Sequence, residues 1–175
     1  MKRIAILAGL VLSTAAFADD RSGAPLRAQL LGYEEVPAVN SDAMGSFEAR
    51  VSPDGASVNW TLTYSGLQAP VTQSHIHFGQ KSVVGSIVVW LCGSTTNPGP
   101  AGTQPCPGSG GTIGGTFTSG NVIAGSTASQ QFTAGDLEGI IDAMRAGIAY
   151  ANVHSSASPG GEIRGQITAR GDSGR

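Results

Sequence analysis

Charged side chains are scarce in this chain, and no stretch of it is strongly basic. Only 13% of the 175 residues are charged, with ten lysines and arginines against twelve aspartates and glutamates. A protein that binds nucleic acid needs a basic patch to neutralise the phosphates. We therefore do not expect nucleic acid as a partner.

Long apolar runs are also missing, apart from one at the N-terminus. That run, Ile4 to Leu12, follows Lys2 and Arg3 and precedes the small-residue segment Ala16-Phe17-Ala18. This order is typical of a signal peptide, and the run is too short to span a bilayer. A retained N-terminal anchor is the alternative interpretation. We expect export, to the periplasm or as a secreted protein, and no membrane span in the mature chain.

Cysteine is rare, and its two copies are Cys92 and Cys106. The segment between them is rich in Gly, Pro, Ser and Thr and has almost no apolar side chains to pack. In an exported protein such a pair usually forms a disulfide, so we predict one disulfide-closed loop. Two thiolates that bind a metal are the alternative, although no histidine lies near them in the sequence.

Glycine is abundant, and together with many Thr, Ser and Val residues it predicts an all-β domain with many turns. The clearest hairpin has apolar residues alternating from Phe47 to Val51, a turn at 52–55, and alternation again from Val58 to Tyr64. The run Val83 to Leu91 is nearly all apolar and predicts a central strand that is covered on both faces.

One helix is predicted where apolar residues recur with helical spacing. Leu137, Ile140, Ile141 and Met144 form its apolar face. Thr133 and Asp136 are the expected N-terminal cap pair, and Gly147 is the expected stop. The predicted organisation is a signal peptide over 1–18, a flexible lead-in over 19–25, the β domain over 26–168 and a loose tail over 169–175.

The three histidines of the chain fall in two short motifs. His75 and His77 are two residues apart in a predicted strand, so their rings point to the same side. His154 ends another strand, on its polar face, just before a turn rich in Gly and Pro. Three imidazoles suit Cu or Zn, which predicts a metal site if the rings meet. A structural hydrogen-bond cluster and unconnected surface rings are the alternatives.

Four further residues are expected around such a site, namely Asn152, Tyr150, Glu162 and Arg164. Asn152 and Tyr150 share the face of His154 and are candidate partners of the metal-ligating rings. Glu162 could orient one imidazole, or it could instead pair with Arg164 on the surface. Glu35 is expected to accept hydrogen bonds from backbone amides rather than to bind metal.

Four segments together resemble the CHRD domain family, named after chordin. They are Leu30 to Val39 with Gly-Tyr-Glu-Glu-Val-Pro, Ser74 to Gly79 with Ser-His-Ile-His-Phe-Gly, the helix from Asp136 to Gly147, and Asn152 to Gln166 with Pro-Gly-Gly-Glu-Ile-Arg-Gly-Gln. The resemblance extends over about Leu26 to Thr168. It implies a Greek-key β-sandwich or barrel, here with one short helix and one disulfide-closed loop.

A weaker similarity is to the copper site of Cu,Zn superoxide dismutase, whose His-x-His strand and later Val-His match His75, His77 and Val153-His154. The chain has no further histidine for a bridging imidazole or a zinc site. The sequence also contains no nucleophile elbow or phosphate-binding loop. We therefore expect non-catalytic binding of one copper or zinc ion, in metal handling or protection. The alternatives are a metal-free module that binds another exported or cell-surface protein, and a dismutase-like redox enzyme.

Overall fold

The computed structural model describes residues 23–169, which form eight β-strands and one α-helix. The signal peptide predicted over 1–18 lies outside the described residues, as do most of the lead-in and nearly all of the tail. The strands are β1 (Leu26–Leu31), β2 (Met44–Val51), β3 (Val58–Ser65), β4 (Val71–Phe78), β5 (Ser86–Gly93), β6 (Gly111–Phe117), β7 (Ala149–Ser155) and β8 (Ile163–Ile167), and the helix is α1 (Leu137–Arg145).

All eight strands belong to one antiparallel sheet with the order β5-β4-β7-β8-β1-β2-β3-β6. The sheet curls until its two outer strands, β5 and β6, approach each other, so that it forms a nearly closed barrel. This confirms the predicted all-β fold with one short helix. Closure removes most of the exposed strand edge that an open sheet would present to other chains.

The predicted hairpin of β2 and β3 is confirmed, and it contributes much of the hydrophobic core. Val51 pairs with Val58 across the turn, and Phe47 pairs with Leu62 further along. Phe47 and Leu62 are fully buried, and the Phe47 ring stacks on Trp60 with ring centroids 6.5 Å apart. Burial of each such side chain stabilises the fold by about 1.5–3 kcal/mol.

Strand β5 differs from the prediction in two respects. It begins at Ser86 rather than Val83, and Val84 is 67% exposed in the loop before it. The loop lies so close to β4 that a Cβ on Gly85 would overlap the carbonyl group of Phe78. The strand is also not central, since it is one of the two outer strands in the sheet order. Its burial on both faces comes from the curling of the sheet and from loops that cover it.

The loop closed by the disulfide is one of these loops, and the predicted disulfide is confirmed. Cys92 on β5 is bonded to Cys106, fourteen residues later. Two backbone hydrogen bonds fold the loop back on β5, from Gly93 N to the Gln104 carbonyl at 3.0 Å and from Cys106 N to the Gly93 carbonyl at 2.8 Å. Both sulfur atoms are used in the disulfide, so the pair does not offer thiolates to a metal.

The helix α1 is confirmed, with a different N-terminal cap from the one expected. Asp136 alone is the cap residue, because its Oδ1 accepts a hydrogen bond of 2.9 Å from the Gly139 amide. The apolar face is buried and covers the core beside β7. Gly147 follows the helix with φ +70°, a left-handed conformation that glycine adopts without strain.

Candidate metal centre

The pairing of β4 with β7 brings the two histidine motifs together. In this register His75 lies opposite Asn152, His77 opposite Tyr150, and Gln73 opposite His154. Residues that lie directly opposite one another share a face of the sheet, so all three histidines are on the same face. The alternate residues Ile76 and Ala151 also pair with each other, and both are fully buried in the hydrophobic core.

The three imidazole rings converge on one place. One ring nitrogen from each histidine lies within 4.8 Å of a nitrogen from each of the others. The ring centroids of His75 are 5.3 Å from those of His77 and 4.8 Å from those of His154. The sequence left open whether His154 meets His75 and His77, and in the fold it does.

The cluster is buried, which the position of the rings on polar strand faces did not predict. His75 has no exposed surface, and His77 and His154 are each 6% exposed. Strand β7 is buried along its whole length. The outer face of the sheet is covered here by the loop that precedes β5 and by the turn after β7, both of which hydrogen-bond to the rings. Unconnected surface rings are excluded by this burial.

Two backbone carbonyl groups fix the protonation of two of the rings. His77 Nδ1 lies 2.8 Å from the carbonyl oxygen of Gly85, and His154 Nδ1 lies 2.8 Å from that of Pro159. A carbonyl oxygen only accepts hydrogen bonds, so each Nδ1 must carry the proton. Because the rings are neutral, each Nε2 then has a free lone pair.

Asn152 fixes the third ring by the same reasoning. One terminal atom of its amide lies 2.8 Å from His154 Nε2, and because that nitrogen is an acceptor, the atom must be the donor Nδ2. The other terminal atom is then Oδ1, which accepts from His75 Nδ1 at 3.3 Å. Nε2 of His75 therefore also has a free lone pair.

Two of these three lone pairs have no partner. Nε2 of His75 and Nε2 of His77 are buried and have no hydrogen bond within residues 23–169. A buried acceptor left unsatisfied costs about 1–3 kcal/mol of stability. Two such acceptors occur here in neighbouring rings. The cluster thus holds three neutral imidazoles with one nitrogen of each within 4.8 Å of the others, and imidazole nitrogen is a ligand that suits copper and zinc.

Burial also keeps the rings in the neutral form that binds metal. Loss of solvation, together with the neighbouring His154 and His77, lowers the pKa of His75 to about 2. Burial lowers the pKa of His77 to about 4, and it lowers the pKa of His154 as well. A metal therefore does not have to displace protons from these nitrogens at neutral pH.

Tyr150 and Arg164, both predicted near the site, support the ring of His77. The Tyr150 ring stacks on it with centroids 4.5 Å apart and planes 6° apart. The Arg164 guanidinium lies 3.4 Å from the centroid of Tyr150 and donates to the carbonyl of Val83 at 2.8 Å. Tyr150 Oη accepts from the Gly85 amide at 3.2 Å, so both residues hold the loop that orients His77.

Glu162 lies elsewhere, and the expectation that it orients an imidazole is corrected. Its Oε1 accepts from Ser41 Oγ at 2.7 Å and from the Gln68 amide at 2.8 Å, and its Oε2 accepts from Ser155 Oγ. Glu162 and Arg164 are both buried, so they do not form the surface pair that was the alternative. Glu162 joins three loops near the end of β7, because a buried carboxylate needs several donors.

Glu35 is buried beside Gly161 in the turn after β7, in a position that its sequence motif did not reveal. Its Oε2 accepts from the Val36 amide at 3.3 Å, whereas its Oε1 has no hydrogen-bond partner among the described residues. Burial raises the pKa of Glu35, while the Val36 amide, the Arg164 charge and the Asn152 amide act in the opposite direction. The one backbone hydrogen bond agrees with the predicted role, and the free oxygen was not anticipated.

Sequence reasoning missed three other groups that surround the rings. Trp90 packs edge-on against His75 with centroids 4.5 Å apart, and it pairs with His75 across β4 and β5. The carbonyl groups of Gly85 and Pro159 orient the other two rings. Only Trp90 has a recognisable side-chain signal, since every residue has a carbonyl group.

Fold and site together define a disulfide-containing β-barrel with a buried three-histidine cluster. The family model of the CHRD domain matches residues 26–167, so the chain belongs to the CHRD family. The comparison with curated proteins and the comparison with solved structures each gave no match. Family membership and the disulfide indicate a protein of the extracytoplasmic type. Within residues 23–169, no helix is long and apolar enough to cross a membrane.

Proposed function

We propose that this CHRD protein binds one copper or zinc ion through Nε2 of His75, His77 and His154. The observation that carries the proposal is the pair of buried, unpartnered Nε2 atoms beside a third lone pair. A hydrogen-bond cluster, the remaining alternative, would satisfy these acceptors with donors. Here Nδ1 of each ring is hydrogen-bonded to an oxygen atom, and Nε2 of His75 and Nε2 of His77 have no partner within residues 23–169.

Binding requires a small contraction of the cluster. Around a tetrahedral ion at about 2.0–2.1 Å from each nitrogen, ligand nitrogens lie about 3.4 Å apart. The greatest separation in the cluster is 4.8 Å, so the rings approach by up to about 1.4 Å. The hydrogen bond from Asn152 to His154 Nε2 must break in this step.

The donor set favours copper over zinc, because the affinity of a given nitrogen site rises towards Cu(II) and falls again at Zn(II). We propose that the protein is exported by its N-terminal segment and holds the metal without catalysis, in metal handling or protection. The burial of the cluster supports this role, since an enclosed ion exchanges slowly and reacts little with solutes.

Isothermal titration calorimetry of the purified protein with Cu(II) and with Zn(II) tests the site. We expect one ion per chain at micromolar concentrations, tighter for Cu(II) than for Zn(II). The variant His154→Ala should bind at least about 10-fold more weakly, because only two nitrogen ligands remain. Glu48→Ala is the control, since Glu48 is an exposed carboxylate on β2. No heat of binding, or undiminished binding by His154→Ala, contradicts the proposal.

An interaction module is a second candidate, favoured by an apolar surface at one end of the β1–β2 pair. Leu31 and Met44 lie opposite each other there and are exposed, and Tyr33 next to them is 72% exposed. Large exposed side chains that lie together often mark a protein-binding surface. Capture of another exported or cell-surface protein that persists with chelator and with His154→Ala, but is lost with Tyr33→Ala, supports this candidate.

A further inference from the structure

Asn152 occupies the one lone pair of the cluster that has a partner. We propose that its amide exchanges one hydrogen-bond acceptor for another. It donates to His154 Nε2 in the metal-free protein and to Glu35 Oε1 when a metal binds to that lone pair. This inference rests on the proposed metal site and assigns Glu35 as a positioning residue that sets the affinity of that site.

The turn after β7 places Glu35 beside the cluster, because the Pro159 carbonyl accepts from His154 Nδ1 and Gly161 lies against the Glu35 carboxylate. Asn152 Nδ2 has two N–H groups, and one of them donates to His154 Nε2 at 2.8 Å. Burial raises the pKa of the Glu35 carboxyl group, and the side chain of Asn152 is among the neighbouring groups that oppose this rise. Oε1 of Glu35 is buried and has no hydrogen-bond partner in the described chain, so it is available as a second acceptor.

Metal binding removes one of the two acceptors that the Asn152 amide could use. The lone pair of His154 Nε2 passes to the ion, so the N–H of Asn152 that pointed to it loses its acceptor. A buried donor without an acceptor weakens metal binding by the cost of that lost hydrogen bond. A small shift of the amide towards Oε1 of Glu35 satisfies the donor and the unpaired oxygen together.

Glu35 is held firmly enough to act as a fixed acceptor. Its Oε2 accepts from the Val36 amide, and the Arg164 charge attracts the carboxylate. A Cβ on Gly161 would overlap the carboxylate of Glu35, so the turn after β7 closes directly over it. The cluster of mutually close ligand atoms contains the three histidines without Glu35, which therefore acts through Asn152.

Titration of Glu35 variants with Zn(II), which is diamagnetic, tests the exchange. We expect Glu35→Ala to bind Zn(II) about 10-fold more weakly, as is usual when a hydrogen-bond partner behind a ligand is lost. Glu35→Gln keeps a side-chain oxygen acceptor and should recover most of the affinity. Glu34→Ala is the matched control, because the neighbouring Glu34 forms a surface ion pair with Lys81, at 3.2 Å.

Nuclear magnetic resonance gives a second reading that does not depend on affinity. In the metal-free protein, the side-chain amide protons of Asn152 and the Nε2 nitrogen of His154 should show their mutual hydrogen bond in both wild type and Glu35→Ala. On addition of Zn(II), the Asn152 amide protons should shift in wild type as they move to a carboxylate. In Glu35→Ala this shift should be largely lost.

The metal site and the change of hydrogen-bond partner can be refuted separately. If wild type binds neither Zn(II) nor Cu(II), the metal site itself is wrong and the exchange falls with it. If wild type binds Zn(II) and Glu35→Ala binds it equally well, the exchange alone is overturned. The same holds if the Asn152 amide signals in wild type do not respond to Zn(II).

Discussion

Acidification should destabilise the metal-free protein through its buried histidines. The pKa of His77 is lowered to about 4 and that of His75 to about 2, whereas an unfolded histidine titrates near pH 6.5. Above pH 6.5 both states are neutral and the shifts have no effect. Below it the unfolded chain binds protons that the folded chain excludes, so stability falls as the pH falls.

The size of the effect follows from these pKa values. One pKa unit corresponds to about 1.4 kcal/mol, so His77 should cost about 2 kcal/mol of stability between pH 7 and pH 5, and His75 should cost a similar amount. His154 acts in the same direction. Glu35 acts in the opposite direction, because its pKa is raised and the folded state takes up its proton first as the pH falls.

Urea unfolding at pH 7, 6 and 5 with a metal chelator measures the effect, with the fluorescence of Trp60 and Trp90 as the signal. His77→Gln isolates the contribution of one ring, since glutamine does not titrate and can still donate to the Gly85 carbonyl. We expect the variant to lose about 2 kcal/mol less than wild type between pH 7 and pH 5. Equal losses in the two proteins would refute the account of His77 as a buried neutral ring.

Two further predictions concern the parts of the fold that surround the site. Replacing Cys92 and Cys106 by serine should lower the free energy of unfolding by about 3 kcal/mol, as expected for a loop of fourteen residues, and an unchanged urea midpoint would contradict this. Glu162→Ala should cost about 3 kcal/mol, because it leaves Ser41 Oγ, the Gln68 amide and Ser155 Oγ without their shared acceptor. Thermal unfolding checks it, and a loss below about 1 kcal/mol would mean that water replaces the carboxylate.

The parts of the fold with a strict local period were predictable from sequence. The alternation in β2 and β3 and the apolar spacing of α1 depend only on which residues are buried every second or every third to fourth position. The start of β5 was not predictable in this way. Val83 and Val84 are as apolar as the strand that follows them. The close approach of Gly85 to β4 is what places the start of β5 after these two residues.

The candidate site was predictable in its ligands but not in its surroundings. The rings of His75, His77 and His154 are conspicuous because no other histidine occurs in the chain. Their burial depends on two loops that pack over the sheet, and their orientation depends on the carbonyl groups of Gly85 and Pro159. Such contacts join distant parts of the chain through the backbone, so they leave no pattern in the side chains.

The same surroundings bear on the choice between the proposed metal-holding role and a dismutase-like activity. A dismutase needs a copper ion with an open position that a solute reaches at every cycle, together with ligands that change with the redox state. Here His75 is fully buried, with Trp90 edge-on against it, and Tyr150 is stacked on His77. The chain has no fourth histidine to serve as a bridging ligand. These contacts support the proposal that the cluster retains an ion rather than catalysing a reaction at it.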